Sequence, residues 1–244
     1  MTDRTVIAIG GADRVAFLQG LVTNDVARAA DGIIYAALLT PQGKFVADFF
    51  VIGQDGRLLI DVATSHAAPL AQRLMMYRLR AAVTIDETDL IVSRGTGTAP
   101  TDAQPDPRDL DMGWRAYGDA DKSDNTDWDA LRVALVIPET GIELTPDTYI
   151  LETRFEPLHG VDFKKGCYVG QEIIARMKHK TTLRKGLVQV KIDGAAPVGT
   201  VIETADGKEA GTLFTQSGDH ALAYLRFDRA TGPLTAGHAK ITRT

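Results

Sequence analysis

Lys165, Gly166, Cys167, Tyr168, Val169, Gly170, Gln171 and Glu172 set the only cysteine of the chain between cations and glycines. The thiolate is the form of cysteine that attacks carbon and binds metal, and neighbouring cations such as Lys164 and Lys165 favour it over the thiol. Glycine lets the backbone turn sharply or approach a ligand closely. The pattern over Val169 to Lys178 predicts a helix, which would put Cys167 just before its amino end, where unpaired amides also favour an anion. The plain alternative is a small buried hydrophobe in a tight turn, since free cysteine is among the most buried residue types. The glycines and cations tip the reading toward function.

One cysteine excludes an internal disulfide and any self-contained site built on two or four thiolates, so the chain cannot hold a cluster on its own sulfurs. Five histidines, at 66, 159, 179, 220 and 238, lack the spacing of a two-histidine helix site. His159 and His179 lie near Cys167 in sequence and are candidates for polar neighbours of it. The net charge is −5, yet Lys164 to Lys191 carries eight Lys or Arg residues against Glu172 alone, and Asp102 to Asp129 carries nine aspartates. Such runs are usually solvated faces; the functional reading is that the cationic one receives an anion. A nucleic-acid partner is disfavoured, because no aromatic follows Tyr168 until Phe214 and stacking surfaces are missing. No stretch reaches the roughly 18 apolar residues of a membrane span. Met1 to Ile9 lacks the blocks of a secretory signal, which leads to the expectation of a cytoplasmic protein with no membrane partner.

Periodicity predicts what positions these groups. A strand over Val6 to Ile9 precedes an amphipathic helix from Asp13 to Leu21, and then come strands at Ile33 to Leu39, Phe45 to Ile52 and Leu58 to Val62. A helix follows from about Ala67 to Arg80, with Leu70, Leu74 and Tyr77 on one side. Short strands at Val83 to Ile85 and Leu90 to Ser93 lead into a Gly-, Pro- and Asp-rich loop over Arg94 to Met112, then a strand at Trp114 to Tyr117 and a helix over Trp128 to Leu135. Ile150 to Leu158 reads as a short helix. Beyond Arg184 the runs Leu187 to Ile192, Val198 to Glu203, Glu209 to Thr215, Ala221 to Phe227 and Ala239 to Thr242 read as a small β-barrel or sandwich. The fold class from the residues is α+β with a β-rich carboxyl-terminal module, residues 185–244 following a region 1–184.

Lys165 to Glu172 resembles the KGCYxGQE signature of the YgfZ family, folate-binding relatives of the glycine cleavage T-protein that act in iron-sulfur cluster assembly and repair. His159 to Phe163 before it and Arg176 to His179 after it fit the same pattern. Phe17 to Asp25 looks like the family's FLQGLxTND segment, Leu39 to Lys44 like its LTPQGK turn, and Ile137 to Glu139 like its IPE element. The matching pieces run from about residue 12 to residue 190. The resemblance implies a three-subdomain cloverleaf around a central folate cavity, with the carboxyl-terminal β-barrel as one subdomain. It implies tetrahydrofolate or a one-carbon derivative as cofactor and iron-sulfur enzymes or cluster carrier proteins as partners.

The resemblance also suggests roles. Cys167 would face the cavity or its mouth, held by Gly166 and Gly170, with Lys165 as its charge partner; it would attack a one-carbon unit, ligate iron with a partner, or sense redox state. Tyr168 would be a flat wall for the pterin or a core side chain, and Gln171 and Glu172 hydrogen-bonding groups at the helix start. Asn24 suits a folate contact or, plainly, a helix stop. Asp48 is ambiguous in the same way, the plain reading being the outward member of its strand. Glu152 and Arg176 are candidates for the pterin amino group or a carboxylate, with surface ion pairing as the alternative. T-protein relatives transfer an aminomethyl group using an aspartate that a hand alignment places near Ala67 to Pro69, where this chain has no carboxylate. An accessory role in iron-sulfur assembly is therefore preferred over a folate-dependent aminomethyl- or methyltransferase.

Overall fold

The computed structural model describes residues 4–180 and 182–243, which form two compact units. One runs to Thr126 and adds Glu156–Ala175; the other joins Asp127–Phe155 to the chain from Arg176 onward. These units cut across the expected regions 1–184 and 185–244, although the first strand of the carboxyl-terminal barrel does begin at Lys185. The reason lies in α3 (Trp128–Leu135), whose Val133, with Val136 just beyond it, packs on Leu187, Leu222 and Phe214 of the carboxyl-terminal strands, so the middle of the sequence folds with its end.

In the first unit β1 (Arg4–Gly10), β2 (Ile34–Leu39), β3 (Phe45–Gln54), β4 (Arg57–Ala63) and β5 (Thr84–Glu87) form an antiparallel sheet in the order β2-β3-β4-β1-β5. Side chains alternate between faces. Ile34, Ala36, Phe49, Val51, Ile60 and Val62 lie on one face and bury against α1 (Arg14–Gln19), through Leu18, and α2 (Thr64–Arg78), through Ala67, Leu70 and Leu74. The other face carries Tyr35, Asp48, Phe50 and Asp61, and Phe50 stands opposite both Tyr35 and Asp61 in the strand register. β6 (Ile91–Gly95), β7 (Gln104–Pro105) and β8 (Trp114–Gly118) form a second, three-stranded sheet in the order β6-β8-β7.

Charges replace hydrocarbon on that second face. Asp61, fully buried, pairs with Arg4, with Arg115 at 3.2 Å and with the Tyr117 hydroxyl at 3.1 Å. Arg108 donates twice to Asp106, at 3.0 and 2.8 Å, and the Arg115 guanidinium lies 3.7 Å above the Phe50 ring. Tyr35 donates to Asp48 at 2.9 Å. Asp48 is therefore buried and hydrogen-bonded, and is not an outward member of its strand.

The second unit is built on a closed barrel of β9 (Lys185–Asp193), β10 (Val201–Thr204), β11 (Glu209–Ser217), β12 (His220–Arg226), β13 (Leu234–Ala236) and β14 (Ala239–Arg243), in the order β10-β11-β12-β9-β14-β13. Closure leaves no unpaired edge, and Val190, Ile192, Leu213, Leu225 and Ile241 help fill the interior. β13, between two glycine turns, is the strand that periodicity does not reveal. Arg132 of α3 ties this unit together by donating to Glu143 at 3.0 Å and to Thr215 at 2.9 Å, while Thr215 donates to Glu143 at 2.7 Å. The predicted helix at Ile150 to Leu158 is a single 3-10 turn, Ile150–Thr153, ended by Arg154 in the left-handed region. Among the described residues no helix is long and apolar enough to cross a membrane.

Candidate functional site

Cys167 is exposed and free, on a loop of the first unit that precedes α4 (Gln171–Lys180). The helix starts two residues later than its pattern suggests. Val169 and Gly170 form a turn between the cysteine and Gln171, so Cys167 does not sit at the helix end and the amide argument for an anion there falls away. What the loop has instead is rigid anchorage on both sides of the sulfur.

On the amino-terminal side the anchor is Lys165. Its ammonium donates to the carbonyls of Gln19, Val22 and Asn24 at 2.8, 2.5 and 3.0 Å and lies 5.1 Å from the centre of the Tyr168 ring. Burial lowers its pKa from 10.5 to about 8, against the opposing pull of Asp25 and Asp162. Lys165 was expected to be the charge partner of Cys167; its three hydrogens are given to backbone. Asn24 does similar work, donating to the carbonyls of Tyr35 and His159, both at 2.7 Å, and accepting from the Asp25 amide at 2.8 Å. Thr23 adds a bond to the Gly160 carbonyl at 2.6 Å. The Phe17 to Asp25 segment and the approach to the signature are thus sewn into one framework. Replacing Lys165 by Met leaves three carbonyls without a donor, and the expected cost is about 2–4 kcal/mol at about 1–3 kcal/mol per buried unsatisfied group, relieved in part by water. Urea unfolding of the K165M protein measures it; a loss below about 1 kcal/mol would mean that water replaces the ammonium.

On the carboxyl-terminal side the anchor is Gly170, at φ +85°, where a Cβ would meet the Thr40 carbonyl at 2.7 Å and Gly43 Cα at 3.2 Å. Gly43, at φ +74°, has Ile173 of α4 over it in the same way, at 2.8 Å. The turn before β3 and the signature turn therefore interlock through two glycines. Gly166 differs: open space surrounds it, so close packing does not explain that glycine. Tyr168 is buried, and burial raises its hydroxyl pKa, so it stays neutral. Gln171 is half-buried and Glu172 exposed in the first turn of α4.

Glu152 and Arg176 belong to the second unit. Glu152 is 8% exposed, accepts from the Tyr224 hydroxyl through Oε2, and has the Lys185 ammonium 3.7 Å from that oxygen. It is thus a buried, partnered carboxylate rather than a surface ion pair. It lines a pocket of about 300 Å³ with Met177, Leu183, Arg184, Lys185 and Arg226. The side chain that α4 contributes to this wall is Met177, and Arg176 is exposed beside it. At Ala67 to Pro69, inside α2, no carboxylate is presented, and His66 is within hydrogen-bond distance of Ser65, at 3.0 Å. Among the buried carboxylates the sequence reading passed over Asp61, Asp106 and Glu143, whereas it named Asp48 with an outward position as the plain reading. The signal for burial of Asp48 was available: Phe45 to Ile52 is apolar on both faces, and an aspartate in such a run needs a partner. Among the described residues no group of three His, Cys, Asp or Glu side chains is placed to hold a metal ion.

Comparison with known proteins fits this architecture. Residues 184–244 match the family model described as the CAF17 C-terminal beta-barrel domain. The aminomethyltransferase T of the glycine cleavage system from Bartonella henselae superposes with a TM-score of 0.76 over all of this chain and 83% of its own, at 14% identity. The fold is therefore of the glycine cleavage T-protein type, with a closed six-stranded barrel at its carboxyl-terminal end. The mitochondrial iron-sulfur cluster assembly factor IBA57 of Mus musculus is 30% identical over 95% of this chain and 78% of its own length. The Homo sapiens protein of that name is 29% identical over the same shares, and the Mycosarcoma maydis homologue 30% identical over 81% of this chain and 58% of its own. These relatives, named as mitochondrial, overturn the expectation of a cytoplasmic protein; the missing secretory signal behind it does not tell one internal compartment from another. By this likeness across nearly its whole length, the chain belongs to the IBA57 family of iron-sulfur cluster assembly factors.

Proposed function

We propose that the chain binds tetrahydrofolate or a one-carbon derivative of it and assists iron-sulfur cluster assembly by lending Cys167 as an iron ligand to a cluster carrier protein. One observation carries the reading: the only thiol is exposed on a loop fixed on both sides of it, by Lys165 and by Gly170. Iron in clusters is held by several thiolates, and a chain with one cysteine supplies one of them. The remainder must come from the partner, which makes the cluster the cargo of a shared site. The names of the relatives support the assembly role, and the signature's resemblance to folate-binding proteins supports the folate.

The test is anaerobic reconstitution of a cluster from iron and sulfide in a mixture of this protein and a purified dithiol cluster carrier. The wild-type chain is expected to co-elute with the carrier in a coloured complex that Cys167→Ser does not form, because a serine oxygen is a poor ligand for iron in a cluster. An equally coloured complex with C167S would remove the shared-ligand reading. Folate-dependent ammonia release from an aminomethyl-lipoyl carrier is expected to be absent, and robust turnover would make the chain an aminomethyltransferase instead.

A further inference from the structure

The carboxyl-terminal end of α2 is finished in a way that its packing does not require. Leu74 is buried against the sheet, but Met75 and Met76 are exposed and Leu79 is 88% exposed. Met75 and Met76 lie four and three residues before Leu79, the spacing that makes neighbours on a helix surface. Leu79 ends the helix at φ +45°, a conformation that a bulky side chain adopts only under strain. The chain just beyond it is pinned: the Ala82 amide donates to Asp13 Oδ2 at 2.7 Å, and a Cβ on Gly11 would meet the Ala82 carbonyl at 2.1 Å. Strained backbone therefore holds a leucine out in water, and strain of this kind gathers where a protein makes contacts for function. Arg73, Arg78 and Arg80 accompany it. None of the three forms an ion pair among the described residues, although acidic side chains outnumber basic ones by 32 to 27.

Methionine and arginine are enriched at protein interfaces and lysine is depleted there. Arginine grips a carboxylate with paired N–H bonds, so the complement of this face is an apolar side chain set between acids. The same chain carries one. Asp109, Leu110 and Asp111 open a single 3-10 turn, Leu110–Met112, in which the Asp109 carboxylate accepts from the Asp111 amide at 2.9 Å and Met112 is buried, while Leu110 is 81% exposed. The Asp111 side chain is exposed and has no ion partner among the described residues. Both segments belong to the first unit. We propose that two copies of the protein associate through them, the Arg78, Leu79 and Arg80 run of each copy meeting the Asp109, Leu110 and Asp111 run of the other, leucine against leucine and arginine against aspartate. A two-fold pair satisfies that reciprocity, since each copy offers both halves. The contact is small, so the dimer is weak and forms at high protein concentration.

The experiment is sedimentation velocity of the whole protein at concentrations up to about 200 µM, in low and in high salt. The wild-type protein is expected to show a reversible monomer–dimer equilibrium that weakens as salt rises, because exposed charges are screened. Arg80→Glu and Asp111→Arg each set like charges against one another and are expected to weaken dimerisation by about tenfold or more. The double variant R80E/D111R, and an equimolar mixture of the two single variants, put opposite charges face to face again and are expected to recover most of the loss. Leu79→Gly removes the apolar centre and relieves the strained backbone, so it is expected to weaken dimerisation by a similar factor without lowering the thermal midpoint. A wild-type protein that stays monomeric throughout overturns the proposal and leaves this face to a foreign acidic protein. A dimer indifferent to R80E and D111R overturns it by placing the contact elsewhere, and failure of R80E/D111R to recover association removes the Asp111 turn as the complement.

Discussion

Asp61→Asn is expected to destabilise the first unit by about 3–5 kcal/mol, the range for breaking a buried ion pair by removing one partner. The substitution keeps size and shape, so it leaves no cavity; what it removes is the charge that Arg4 and Arg115 share. Arg115 is 1% exposed, and its Nε and Nη1 already lack hydrogen-bond partners, so nothing else in the protein is ready to compensate its charge fully. Asp106, 4.0 Å from Arg115 Nε, is held by Arg108. Urea unfolding followed by circular dichroism measures the loss, and the double substitution D61N/R115M is expected to recover much of it, because the stranded charge is then gone. A loss below about 1 kcal/mol for D61N alone would show that water reaches this face.

The same carboxylates govern acid sensitivity. Burial alone would raise the pKa of Asp61, but the charges of Arg115 and Arg4 and the hydrogen bonds from Arg4 and Tyr117 more than offset it, leaving it below 3.8. Asp106 behaves likewise through Arg108 and Arg115. As pH falls through 3.8 the unfolded chain takes up these protons before the native one, so the stability they provide is present above that value and is lost below it. In D61N the acid-unfolding curve is expected to be shallower than in the wild-type protein, a second and independent readout of the same pair.

This network also marks where sequence reading reached its limit. The apolar runs of β2, β3 and β4 and the alternation in β9, β11 and β12 were legible, because a strand buried on one or both faces writes that burial into local composition. The pairing of Asp61 with Arg115, and of Arg132 with Thr215, joins residues far apart in sequence, and no local pattern carries it. Lys165 shows the cost most plainly. Beside Cys167 in sequence it reads as an electrostatic partner, yet the carbonyls it binds lie more than 140 positions upstream. The lone cysteine and the glycine at 170 were legible for the opposite reason: their chemistry and their backbone freedom are properties of single residues. The start of the barrel was legible as well, but that α3 joins it was not, since composition does not encode those contacts.

Cys167→Ala in cells that depend on this protein is expected to abolish support of iron-sulfur enzymes to the level of a deletion. The thiol is free and exposed, so removing one sulfur atom from the surface should change stability by no more than about 0.5 kcal/mol. Lys165, Gly170 and Asn24 keep their backbone partners in the variant, so the folate binding proposed above should be weakened by no more than about twofold. Loss of support with an intact fold separates a chemical role from a structural one. Oxygen then separates two kinds of chemistry. A redox sensor acts through oxidation of its thiol, so C167A would still support the enzymes under strict anaerobiosis; an iron ligand is needed with or without oxygen, and the expectation here is failure in both conditions. Full support by C167A in air and without it would leave the exposed sulfur with no part in cluster assembly, whatever the folate does.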